Sequence, residues 1–131
     1  MSHYIAAPYC CQLLADMGAE VIKLERPNEG EVYRTYYPRI NGESLYYVAY
    51  NRNKRSVALD IQTEKGKELL RKLVEKSDVV VENMRPGMLI QMGFGYEDLK
   101  RINPGIIMTS LSGFGQYGPY KNRQGIDMMI Q

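Results

Sequence analysis

The sequence is poor in the residues that most often build reactive centres. It has one histidine, His3, and two cysteines, Cys10 and Cys11, side by side. Adjacent cysteines cannot staple a fold, and neither has a Cys or His partner at metal-ligand spacing. A zinc site, a Cys/His dyad and a Ser/His/Asp triad all lack parts, so no metal is expected. The cysteine usage makes a reducing, cytoplasmic setting the expectation. No apolar stretch approaches the roughly 20 residues that span a bilayer. Residues 1–8 lack the basic start and apolar segment of a secretory signal. The formal net charge is only +2, too small to indicate a nucleic-acid partner. Neither G-x-G-x-x-G after a strand nor G-x-x-x-x-G-K-[ST] occurs, which removes two common nucleotide-binding devices.

What remains is an ordinary globular composition. The 131 residues are 44% hydrophobic and 24% charged, enough for one domain with a single core. Residues 9–17 read as a helix, with Pro8 in its first turn and Gly18 as its cap. Cys10, Leu13, Leu14 and Met17 form its expected buried face. Residues 20–25 read as a strand stopped by Pro27. Residues 28–50 hold six of the eleven tyrosines and read as a long excursion with little regular structure. Residues 56–60 suit a short strand. Thr63 caps a helix to about Lys76, with Leu69, Leu70, Leu73 and Val74 inside. The valines of 78–82 indicate a strand buried on both faces, as in a parallel sheet. A short helix from Pro86 to Met92, another over 96–102 and a strand over 106–111 complete the series. The alternation predicts an α/β domain with a mostly parallel sheet. Residues 1–7 are too short for the strand expected before the first helix, and residues 126–130 stop in an apolar run. Both ends are therefore expected to be incomplete.

Ligands of α/β folds bind beyond the carboxyl ends of the strands. There the sequence places Arg26, then Asn83-Met84-Arg85-Pro86-Gly87, then the glycine-rich loop 113–119. Arginine forks and backbone amides suit phosphate oxygens. The bland alternative has these arginines solvated or paired with Glu25 and Glu82. The run Arg52-Asn53-Lys54-Arg55 offers further positive charge, or simply a solvated face. Asp60, Glu82 and Asp127 stand near strand ends, and nothing marks any of them as a nucleophile.

Four motifs, in order and in register, carry a resemblance. They are Ala7-Pro8-Tyr9-Cys10 with residues 14–27, then residues 51–60, 81–87 and 111–120. Together they resemble the family III coenzyme A transferases, the group of formyl-CoA:oxalate and carnitine CoA-transferases. The resemblance implies a Rossmann-like, mostly parallel sheet with flanking helices, of which residues 1–131 are an incomplete N-terminal portion of the large domain. It implies transfer of coenzyme A between carboxylic acids through an aspartyl-CoA thioester, in an interlocked cytoplasmic homodimer. The implied substrates are an acyl-CoA and a carboxylic acid, with the acids themselves left open. Coenzyme A would enter as substrate, and no nucleic acid or membrane would be involved.

Residue by residue, Arg26 matches a CoA-contacting arginine. Leu59, Asp60, Ile61 and Gln62 match a backbone segment at the adenosine end. Asn83, Met84 and Arg85 match the segment beside the diphosphate and pantetheine. Gln124, Gly125, Ile126 and Asp127 match a stretch near the thiol. No catalytic residue is assigned, because the nucleophilic aspartate is expected beyond Gln131. The sequence departs from the pattern at Ile5, Ala6 and Gln91. The family's racemases use a histidine where this chain has Ile126, which exchanges no proton, so that reading is disfavoured. An inactive CoA-binding or structural fragment is the remaining alternative.

Overall fold

The computed structural model describes residues 1–130; Gln131 and the side chains of Asp127 and Ile130 lie outside that description. The chain divides into two compact units, residues 1–61 and residues 62–131.

In the first unit, helix α1 (Ala6–Asp16) leads to strand β1 (Val21–Glu25). Gly18 closes the helix at φ +99°, its amide bonded to the Ala15 carbonyl. A single 3-10 turn (Val32–Thr35) and a hairpin, β2 (Arg39–Ile40) with β3 (Glu43–Ser44), precede helix α2 (Leu45–Asn51) and strand β4 (Lys54–Ala58). The excursion at 28–50 is thus more regular than its sequence indicates. Tyr-Tyr-Val-Ala-Tyr suits a strand by local preference, but Ser44 Oγ accepts from the Tyr47 amide and caps a helix instead. β1 and β4 pair in parallel, Val21 opposite Lys54 through Glu25 opposite Ala58.

The interior of this unit is unusually polar. Gln12, Lys23, Glu25, Glu31, Ser44 and Asn51 are buried beside Ala7, Ala15 and Tyr33. The face predicted for α1 is a correction. The helix buries Ala7, Pro8, Gln12 and Ala15, while Leu13 is 45% and Met17 76% exposed. α1 packs on α2 and β1, and its small residues permit that close approach.

The second unit opens with α3 (Glu64–Glu75), capped by Thr63 Oγ, which accepts from the Gly66 amide at 3.0 Å. Leu70 and Val74 are buried as predicted; Leu69 is exposed. Strand β5 (Val79–Glu82) follows, then α4 (Met88–Gln91), α5 (Tyr96–Ile102) and strand β6 (Ile107–Ser110). β5 and β6 pair in parallel, Val79 opposite Ile107 through Glu82 opposite Ser110. Val80 and Val81 point to opposite faces and both are buried. Phe94, Leu99, Leu89 and Ile106 complete an apolar core, each worth about 2 kcal/mol of burial. Asp98 accepts from the Gly95 amide and so fixes the start of α5. A last short helix, α6, spans Asp127–Ile130.

The α/β class and the parallel pairing are as expected. The strands hydrogen-bond two by two, one parallel pair in each unit besides the β2–β3 hairpin.

Candidate functional site

In the first unit the candidate residues share the carboxyl end of β1 and β4. The Leu59 amide donates to the Glu25 carbonyl at 3.0 Å, which extends the pairing one step past the strands. Arg26 therefore leaves the sheet beside Leu59, Asp60 and Ile61. The Arg26 side chain is 64% exposed, with Glu29 3.3 Å away. Such an exposed pair contributes little and is easily exchanged for another anion. Arg26 does not pair with Glu25; it is solvated, in an exposed pair with Glu29.

Glu25 is held by other groups. Its carboxylate accepts from Arg34 Nε (2.8 Å) and Nη2 (2.9 Å), Ser56 Oγ (2.6 Å), Tyr47 Oη (3.1 Å) and the Glu31 amide (2.8 Å). Burial alone would push this carboxyl up; the bonds from Arg34, Ser56 and Glu31, with the Arg34 charge, outweigh it and hold it down to about 2. Burial and the Glu25 charge push the Tyr47 phenol up to about 12, so Tyr47 stays a donor. The Arg34 guanidinium also stacks on the Tyr47 ring at 3.8 Å.

Glu31 makes a second buried acid. It accepts from Lys23 Nζ at 2.8 Å and from the Tyr4 amide at 3.0 Å, with His3 Nδ1 at 3.6 Å. Burial pushes its carboxyl up, but the adjacent His3, the bond from Lys23 and the lysine charge bring it down to about 2.

The basic run 52–55 is engaged by groups of the chain itself, Arg52 and Arg55 in exposed pairs and Lys54 turned inward. Arg52 and Asn53 both reach Asp16, at 2.6 and 2.8 Å, and Arg55 reaches Glu20 at 2.7 Å. Lys54 donates to the carbonyls of Pro8 (2.7 Å) and Tyr50 (2.5 Å). Burial, then the charge of Lys23, lower its ammonium to about 8. The tyrosines of the excursion pack on each other. Tyr33 is buried at their centre, with Tyr4, Tyr36, Tyr46 and Tyr50 within 6.2 Å of its ring.

In the second unit the arrangement at β5 and β6 repeats the same design. The Leu111 amide donates to the Glu82 carbonyl at 2.9 Å, so Asn83 leaves the sheet beside Leu111. Glu82 is buried and its carboxylate accepts from the Met84 amide at 2.7 Å. That bond folds the loop back at Met84, leaving Asn83 and Met84 half-buried and Arg85 exposed. Gly87 follows at φ +83°, a conformation that strains any residue with a Cβ. Glu82 therefore holds the loop through the Met84 amide, while Arg85 stands solvated.

Gly125 lies against the loop at 113–119: a Cβ on it would overlap the Gly113 backbone. This places Gln124 and Gly125, both exposed, beside that loop; Ile126 is exposed too. The Asp127 side chain lies outside the described residues. Gln62 begins the second unit and is exposed.

The structure thus places Arg26 beside 59–61 in one unit; in the other, Asn83 leaves the sheet beside Leu111, and Gly125 lies against Gly113. Sequence reasoning missed the roles of Glu25, Glu31 and Lys23. Their mark was the period-two placement of Lys23 and Glu25 in β1, which puts charge on the inner face and Ile22 on the outer one. Among the described residues no helix is long and apolar enough to cross a membrane, and no cluster of three or more metal-ligating side chains occurs.

The sequence model of CoA-transferase family III matches residues 1–131. The chain belongs to that family. It is 46% identical over 123 residues to the succinyl-CoA–D-citramalate CoA-transferase of Chloroflexus aurantiacus, covering 93% of this chain and 31% of the relative. It is 46% identical over 128 residues to the human succinyl-CoA:glutarate CoA-transferase, covering 97% and 29%. A CaiB/BaiF family protein from Brucella suis superposes with a TM-score of 0.93 at 46% identity, over 100% of this chain and 36% of that one. The chain thus spans about a third of the length of these relatives.

Proposed function

We propose that this chain is part of a coenzyme A transferase and supplies part of its CoA site. The observation that carries the reading is the family match over the whole chain, joined to exposed Arg26 and Arg85 at the carboxyl ends of two parallel strand pairs. The related proteins are named for CoA transfer to D-citramalate and to glutarate, so an acyl-CoA and a carboxylic acid are the substrate classes. In this reading Arg26 and Arg85 face phosphate oxygens, where a planar fork suits the geometry. Leu59, Asp60, Ile61 and Gln62 line the adenosine end, Asn83 and Met84 the diphosphate and pantetheine, and Gln124, Gly125, Ile126 and Asp127 the thiol end.

The chemistry proposed is covalent. An aspartate carboxylate outside this candidate set attacks the acyl-CoA carbonyl and expels the CoA thiolate, giving a mixed anhydride. The thiolate then attacks the aspartyl carbonyl and releases the first acid, leaving an aspartyl-CoA thioester. The second carboxylate reverses these steps and restores the aspartate. The same reading makes residues 1–131 the N-terminal portion of a large domain in a cytoplasmic homodimer.

Calorimetric titration of the chain with coenzyme A tests the binding part. Micromolar affinity is expected, falling about tenfold in Arg85→Ala, the loss of one charge-assisted fork. A folded chain that binds no coenzyme A, or binds it equally well without Arg85, overturns the site.

A further inference from the structure

Arg26 sits on a short loop whose two ends are both buried acids. Glu25 precedes it and Glu31 ends it, and the Glu31 amide donates to the Glu25 carboxylate at 2.8 Å. Within the loop the Gly30 amide bonds back to the Arg26 carbonyl at 3.0 Å, and the Glu29 amide to the Pro27 carbonyl at 2.8 Å. Gly30 lies at φ +67°, and a Cβ there would meet Arg34 Cδ at 3.0 Å and Glu25 Oε2 at 3.1 Å. The loop is therefore folded tightly over the Glu25–Arg34 pair. Arg34 completes the clamp with two bonds to one carboxylate, a geometry that fixes direction as well as distance.

Five donors fill an acceptor that has about four lone-pair sites, so the Glu25 carboxylate has no capacity left for a ligand. Its charge is matched by Arg34, so it does not repel an incoming anion. The Arg26 guanidinium, by contrast, is turned outward. The backbone is held while the fork stays exposed. An arginine presented this way binds an anion with less ordering cost than one on a slack loop.

We propose that Glu25, acting with Arg34, is a positioning residue for Arg26: it clamps the loop at 26–31 so that the Arg26 fork is preset for the phosphates of coenzyme A. The inference rests on the reading of Arg26 as a coenzyme contact. Neither Glu25 nor Arg34 touches the ligand in it. Lysine at position 34 would keep the charge and lose the fork, so the clamp should slacken without removal of the ion pair.

A double-mutant cycle read by coenzyme A titration separates this from a purely structural role. Glu25→Gln and Arg34→Lys are each expected to weaken binding about five- to tenfold in the otherwise unchanged chain. In an Arg26→Ala background each is expected to weaken it no more than about twofold, because the group they position is gone. Equal weakening in both backgrounds overturns the proposal, since loss of general structure does not depend on Arg26. Unchanged binding in Glu25→Gln and Arg34→Lys, with Arg26→Ala weakened, overturns the clamp but keeps the site. Unchanged binding in Arg26→Ala itself overturns the site reading beneath it. Should Glu25→Gln fail to fold, the Arg34→Lys arm carries the cycle alone.

Discussion

Glu31→Ala is expected to lower the folding stability of the chain by about 3 to 5 kcal/mol. Glu31 and Lys23 form an ion pair whose side chains are only 1% and 3% exposed. Bringing two charges out of water is costly, and the pair persists because each offsets the other at 2.8 Å. Removing the carboxylate leaves an ammonium buried with only the Ser2 carbonyl at 3.4 Å. It also strips the Tyr4 amide of its acceptor. The compensating variant, Lys23→Met with Glu31→Leu, removes both charges and is expected to recover most of the loss. Urea denaturation of the two variants checks this. A loss below about 1 kcal/mol for Glu31→Ala would show that water reaches the pair.

The second large effect is on acid stability. Glu25 and Glu31 are both held down to about 2 from an ordinary 4.5. A carboxyl depressed on folding contributes stability that is fully present above its unfolded pKa. That contribution is lost as pH falls through the folded one. The window is thus pH 5 to 2. Each group alone accounts for on the order of 3 kcal/mol there. The two share a network through the Glu31 amide, so their contributions are not simply additive. Asp16, lowered by its bond from Gln12, and Glu64 and Glu68, lowered by their lysines, are exposed at the carboxyl and add little. Unfolding free energies at pH 7, 5, 4 and 3 should fall steeply below 5, and Glu31→Gln should flatten the slope. An equal slope in Glu31→Gln would contradict the assignment.

Both predictions concern groups that the sequence hardly announces. α3 and α5 were legible because their capping residues, apolar spacing and breakers agree. α5 runs from Tyr96 to Ile102 as read, and Thr63 caps α3. β5 was legible from its valines. α1 was legible as a helix but not in its burial, because the stripe Leu13, Met17 has no partner among the described residues and the helix buries its small side instead. α2 was missed because Tyr and Val favour strands locally; the Ser44 cap and the packing of Tyr46 and Tyr50 on Tyr33 decide otherwise. The charged inner face of β1 was missed for a similar reason. Lys23 and Glu25 look like surface residues until the residues at 31, 34 and 47 come back to meet them. Such long-range closure is set by tertiary contacts rather than by local pattern. The candidate site was legible in outline, since Arg26 and Asn83–Arg85 do stand where parallel strands end. What the sequence left out was the pair of buried acids, Glu25 and Glu82, that hold the loops carrying them.

The central claim is that coenzyme A is met by residues at the carboxyl ends of the parallel pairs. Amide chemical-shift mapping of the isotope-labelled chain, as coenzyme A is added, tests it most directly. The largest shifts are expected at Arg26, at 59–62, at 83–85 and at 124–127. Shifts centred instead on the tyrosines around Tyr33, or a folded chain with no shifts at saturating coenzyme A, would contradict the claim.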